Sequence, residues 1–177
     1  MSNIPNILSL LRILMIPVVA ISFYHGNYAS AAIVFLIACF TDVVDGYLAR
    51  RFGWITDIGK ILDPLADKGM QLTVLISLAM CGRMPRVAAY LVLIKELAMF
   101  LGGVFLYKHR IVVAANWYGK AATVVISLCV TTVLLFYDFL PSAVLIIAQW
   151  LPVFAALGAF ILYFIAFIKS VREVKLI

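Results

Sequence analysis

The chain has 177 residues, 66% of them hydrophobic and 12% charged, with a mean hydropathy of +1.15. Soluble domains run at about 45–50% apolar and about 25% charged, and 14 basic with 8 acidic side chains cannot cover a water-exposed fold of this length. A soluble protein is excluded, and the net charge of +6, with no soluble basic segment to carry it, points to membrane orientation and not to nucleic acid.

A bilayer core about 30 Å thick takes about 20 helical residues. Six apolar runs of that order follow one another, over about residues 7–24, 29–49, 60–81, 86–107, 118–137 and 142–168. All read as helices, because a spanning segment must satisfy its backbone internally and the alternating ten-residue strands of a barrel do not occur. The breaks carry turn residues or charge: His25-Gly26-Asn27, Arg51-Phe52-Gly53, Cys81-Gly82-Arg83-Met84-Pro85, Lys108-His109-Arg110, Tyr137-Asp138 and Pro141. The expectation is an all-α polytopic membrane protein, a single domain over 1–177 with six transmembrane helices. Met1 to Leu11 lacks a basic stretch and the first apolar run lacks a small-x-small cleavage pattern, so that run is expected to stay as a span.

Arg50, Arg51, Lys60, Lys108, Arg110, Lys120, Lys169, Arg172 and Lys175 fall on one side of this six-span scheme, against Arg83 and Arg86 on the other. The positive-inside rule then makes both termini cytoplasmic. Cys39, Cys81 and Cys129 lie far apart with no Cys-x-x-Cys spacing and read as packing residues. Trp54, Trp117 and Trp150 suit interfacial anchoring, and Arg12, near the cytoplasmic end of the first span, can snorkel.

The chemistry concentrates in two stretches, Thr41 to Arg50 and Gly59 to Lys68, which hold four of the eight acidic residues. Asp42 and Asp45 are three apart, and Asp63 and Asp67 four apart, so each pair shares one helix face. Two facing pairs make an oxygen-lined pocket. Carboxylates at membrane depth are costly, and four together repel one another, unless cations neutralise them. Hard oxygen ligands without His or Cys favour one or two magnesium or manganese ions, and such ions serve phosphate chemistry. Gly46 removes a side chain where a nucleotide could approach the backbone, Ala49 extends that notch, and Arg50 adds a cationic fork suited to phosphate.

These residues spell Asp-x-x-Asp-Gly-x-x-Ala-Arg, eight intervening positions, then Gly-x-x-x-Asp-x-x-x-Asp, complete over the 26 residues from Asp42 to Asp67. The pattern resembles the signature of the CDP-alcohol phosphatidyltransferases, and the six-span layout is similar to theirs. That resemblance implies attack of an alcohol on the lipid-bearing phosphorus of CDP-diacylglycerol, releasing CMP. By motif position it implies that Asp42, Asp45 and Asp63 hold one ion (Mg2+ or Mn2+), that Asp42, Asp63 and Asp67 hold a second, and that Asp67 is the general base. It places CDP-diacylglycerol contacts at Gly46, Ala49, Arg50, Thr56 and Gly59, with Asn6 and Ser9 at the entrance of the first span. It also implies a homodimer in the plasma or inner membrane, with the site opening to the cytoplasmic leaflet.

Within that family, the opening Asn3-Ile4-Pro5-Asn6-Ile7-Leu8-Ser9 with Arg12 and Pro17, and Gly119-Lys120 before the fifth span, resemble members whose acceptor is glycerol 3-phosphate. Lys60, Lys108, Arg110 and Lys120 are the expected cationic partners of such an acceptor phosphate. One departure is visible. Those members commonly carry Arg-Glu in the fourth span and another Arg about two turns on, whereas here Lys95-Glu96 is followed by Gly102-Gly103. Eukaryotic-type cardiolipin synthases, whose acceptor is phosphatidylglycerol, share the signature and stay open as an alternative. Membrane polyprenyl-diphosphate transferases are a rival enzyme class, argued against by the Ala-Arg spacing, and a divalent-cation transporter is a non-enzyme rival. Lys95 and Glu96 are adjacent and point to different sides of a helix, so their spacing does not assign them to each other, and as intramembrane charges they are functional candidates. Asp57 is expected to cap or hydrate its loop, and His109 to be interfacial.

Overall fold

The computed structural model describes residues 4–53, 59–108 and 117–174. Trp54, Thr56, Asp57, His109 and Arg110 lie outside the described residues. Among the described residues six helices form: α1 (Ile4–Tyr24), α2 (Tyr28–Phe52), α3 (Gly59–Met80), α4 (Arg86–Lys108), α5 (Trp117–Phe136) and α6 (Ser142–Val174). Each matches one apolar run of the sequence to within a few residues at its ends. Among the described residues, Asn6–Tyr24, Tyr28–Ala49 and Ser142–Ile165 are long and apolar enough to cross a membrane, and Ala121–Phe136 is a shorter apolar stretch. In α3 the charges Asp63, Asp67 and Lys68 crowd the first half, leaving only the second half apolar.

Turn chemistry sets the connections. Gly26 takes φ +69° and Asn27 caps α2, its side chain accepting from the Ser30 N–H at 3.1 Å, so α1 and α2 are joined by a three-residue turn. Gly53, at φ +66°, closes α2 by donating its N–H to the Ala49 carbonyl. A left-handed conformation costs a side-chain-bearing residue free energy that glycine does not incur.

The chain divides into two compact units, residues 1–84 with 131–139, and residues 85–130 with 140–177. In the first, α1 packs against both α2 and α3. Its core is made of Val19 and Phe23 from α1, Ala31, Ala32, Phe35 and Ala38 from α2, and Ala66, Met70, Val74 and Leu78 from α3. The alanines allow close helix approach, as does Gly69, where an added Cβ would come within 3.0 Å of Ile16 Cδ1. Burial on α1 is reversed relative to a soluble helix. Ser9 and Arg12 are buried while Ile7, Leu14 and Ile21 are exposed, the arrangement expected where lipid is the solvent.

At the end of this unit where α2 begins and α3 ends, Arg83 donates to Asp138 at 2.8 Å. Its guanidinium lies 3.7 Å from the Tyr28 ring centroid and 4.8 Å from that of Tyr137. A cavity of about 270 Å3 opens beside it, lined by Asn27, Tyr28, Leu134 and Asp138 among others.

In the second unit α4 packs against α6 through Ala88, Ala89 and Val92 and through Val153, Ala156 and Ala159. Lys95 and Glu96 do pair, Nζ to Oε1 at 2.6 Å, and both are buried. Adjacent Cβ atoms diverge, but both side chains are long enough to bend back toward each other. In an apolar interior the cost of an unpaired charge outweighs the strain of doing so.

Candidate active site

The signature acids lie on two helices that α1 holds together. Asp42 and Asp45 stand one turn apart in the second half of α2, and Asp63 and Asp67 one turn apart near the start of α3. From α1, the Arg12 guanidinium donates through Nη1 to Asp42 Oδ1 at 2.7 Å and through Nη2 to Asp45 Oδ2 at 2.5 Å. One turn earlier on α1, the Ser9 hydroxyl donates to Asp63 Oδ1. The i, i+3 spacing of Ser9 and Arg12 thus points one face of α1 at both acidic helices.

The site grades from dry to wet. Arg12 is 2% exposed and Asp45 3%; the Asp42 side chain is 42% exposed and that of Asp67 33%. Asp45 feels the charges of Arg12, Asp42 and Asp63, so carboxylates from both helices meet within electrostatic reach. Burying this many charges is tolerable only when they are paired and hydrogen-bonded. Asp67 has Lys68 Nζ 3.7 Å from its Oδ2, and Lys68 lies 3.5 Å from Gln71 Oε1.

Each of Asp42, Asp45 and Asp63 gives α1 one oxygen, and among the described residues no hydrogen bond is seen to the other. An all-oxygen donor set of this kind suits a hard divalent cation. Among the described residues no three acidic, His or Cys side chains stand together as a preassembled ligand set. Arg12 and Ser9 instead draw the carboxylates toward α1. The donors therefore match such an ion in chemistry.

Of the other residues picked out by the sequence, Gly46 and Ala49 are partly buried beside the α2 acids, Gly59 is buried where α3 opens, and Asn6 is half-buried on α1. The side chains of Arg50, Lys60, Lys108 and Lys120 lie outside what is described, as do Thr56 and Arg110. Arg12 is the residue whose place sequence reasoning missed. It is not a snorkelling surface cation but the buried partner of two signature acids. The available signal was its position as the sole charge in the first apolar run, since an intramembrane arginine needs an acidic partner.

Fold and site together define an α-helical membrane protein in which carboxylates from two helices gather on one face of a third. The family profile of CDP-alcohol phosphatidyltransferases matches residues 2–169. The chain belongs to that family. It is 40% identical over 130 residues to a probable phosphatidylglycerophosphate synthase of Mycobacterium tuberculosis, covering 70% of this chain and 62% of that protein. It is 34% identical over 133 residues to a CDP-diacylglycerol--glycerol-3-phosphate 3-phosphatidyltransferase of Aquifex aeolicus, covering 74% and 75%. A cardiolipin synthase (CMP-forming)/mitochondrial hydrolase fusion protein of Schizosaccharomyces pombe is 38% identical over 97 residues, 55% of this chain and 16% of that one. The match thus spans a little under two thirds of the mycobacterial relative's length.

Proposed function

We propose that the protein transfers a phosphatidyl group from CDP-diacylglycerol to glycerol 3-phosphate, giving phosphatidylglycerophosphate and CMP. The observation that carries this is the convergence of the signature acids of α2 and α3 on one face of α1, in a chain whose relatives bear that activity's name. The acceptor hydroxyl attacks the lipid-bearing phosphorus, Asp67 takes its proton, and CMP leaves. Asp67 suits that role because it is one of the wetter acids, within reach of a polar substrate. Asp42, Asp45 and Asp63 would hold one magnesium or manganese ion, and Asp42, Asp63 and Asp67 the second. Such ions supply a clamp for the diphosphate and offset charge on the leaving phosphate. Gly46, Ala49, Arg50, Thr56, Gly59, Asn6 and Ser9 form the CDP-diacylglycerol subsite, with Lys60, Lys108, Arg110 and Lys120 toward the acceptor phosphate.

The same reading places six spans in the plasma or inner membrane with termini and acids on the cytoplasmic side. The sequence supports it, since nine of eleven loop-proximal basic residues lie on that side. A homodimer completes it. An added Cβ at Gly102 or Gly158 meets nothing within 4 Å, so neither glycine is required by packing inside the protomer.

The test offers the purified protein labelled CDP-diacylglycerol with glycerol 3-phosphate, phosphatidylglycerol, serine or inositol phosphate, and identifies the lipid made. Phosphatidylglycerophosphate is the expected product. Cardiolipin would establish the second reading, which the fission-yeast relative supports. Ion transport in sealed vesicles without CMP release would point to the non-enzyme reading.

A further inference from the structure

The arginine on α1 occupies the place where two signature acids need a cation. Its fork spans Asp42 and Asp45 at 2.7 and 2.5 Å, and it is 98% buried. It is tethered to α1 and cannot diffuse away. The pairing also leaves Arg12 incompletely satisfied: its Nε is buried and has no hydrogen-bond acceptor among the described residues. A buried donor without an acceptor marks an arrangement that a ligand-bound form can improve.

We propose that Arg12 is the built-in counter-ion of the ion-free site and competes with the divalent cation for Asp42 and Asp45. This rests on the divalent-ion reading given above. Without an ion, the guanidinium keeps the two carboxylates from repelling each other and holds α1 on α2. On loading, the ion draws at least one carboxylate away from the fork. The freed Nη donor and the unsatisfied Nε are then available to an anionic group, such as an oxygen of the substrate's diphosphate. Ion affinity is consequently held down until substrate arrives to take over the guanidinium. By linkage, ion and substrate strengthen each other's binding.

The readout is binding, not turnover: free Mn2+ measured by electron paramagnetic resonance over the purified, divalent-free, full-length protein. In the wild type, Asp63→Asn should weaken Mn2+ binding by about tenfold or more, which places the bound ion among these acids. Arg12→Gln removes the competing charge and should tighten Mn2+ binding by about fivefold or more, whereas Arg12→Lys keeps the charge and should stay within about twofold of wild type. Unchanged or weaker binding in Arg12→Gln overturns the proposal and leaves the ion site standing. Absence of any Mn2+ binding sensitive to Asp63→Asn overturns both. If Arg12→Gln does not fold, the wild type decides. Infrared difference spectra with guanidino-13C arginine should show an Mn2+-induced shift of a guanidinium band that Asp63→Asn abolishes, and no such shift in the wild type overturns the proposal.

Discussion

At the scale of single residues, the four signature aspartates are not equivalent, because Asp42 and Asp45 share Arg12 at very different exposures while Asp63 and Asp67 have other neighbours. Asp45 is locked in a dry ion pair, Asp63 is held by a serine hydroxyl, and Asp67 is wetter. Asp67→Asn should therefore abolish phosphatidyl transfer while the protein still inserts and purifies normally; near-normal turnover in the purified variant removes Asp67 as the base. Lys120→Ala should raise the KM for glycerol 3-phosphate several-fold more than that for CDP-diacylglycerol, and an unchanged acceptor dependence takes Lys120 out of the site. The acids themselves were legible as a linear pattern, since i, i+3 and i, i+4 spacings need no tertiary information. The contributions of Ser9 and Arg12 were not. Their separation from the acids is 30 residues or more, and only packing decides which face of α1 meets which helix.

At the scale of elements, helix boundaries followed from composition because lipid demands long apolar helices and because Gly26, Gly53 and Gly82 stand where the chain must adopt positive φ. Gly82 belongs to the turn that carries Arg83, and this turn is a tie between segments. Arg83 reaches Tyr28 at the start of α2 and Tyr137 with Asp138 just past α5. Stacking between two rings with a charged hydrogen bond is worth more than an exposed ion pair alone. Arg83→Ala should cost about 1–2 kcal/mol, and thermal unfolding in detergent should shift down by roughly 2–8 °C. Because this tie sits at the end of its unit away from the acids, kcat at low temperature should be retained; a large loss of kcat with no change in melting would refute a stabilising role. Lys95-Glu96 taught the opposite lesson. Spacing alone left their partners open, and the buried fold paired them.

At the scale of the whole molecule, the membrane is the organising solvent. Three described stretches qualify as spans by length and apolarity alone, while α3 combines a charged first half with an apolar second half. That division is what a helix entering a polar cavity from one membrane face requires. The six-span reading makes a topological prediction through Cys81, exposed in the turn after α3. A membrane-impermeant maleimide should label Cys81 from outside intact cells and leave the buried Cys129 unlabelled. Labelling of Cys81 only in inverted vesicles would reverse the proposed orientation.

Composition by itself determined that the chain is a helical membrane protein, because hydrophobic length and the lack of a polar covering are properties of the linear sequence. The 26-residue motif likewise named a chemistry, since regular helix geometry turns spacing into a shared face. What only the tertiary structure decided is which groups pair with the acids. That answer depends on where α1 lies relative to α2 and α3, on the small alanine contacts that bring them close, and on the desolvation that forces every buried charge to find a partner. None of these is encoded within reach of a local pattern.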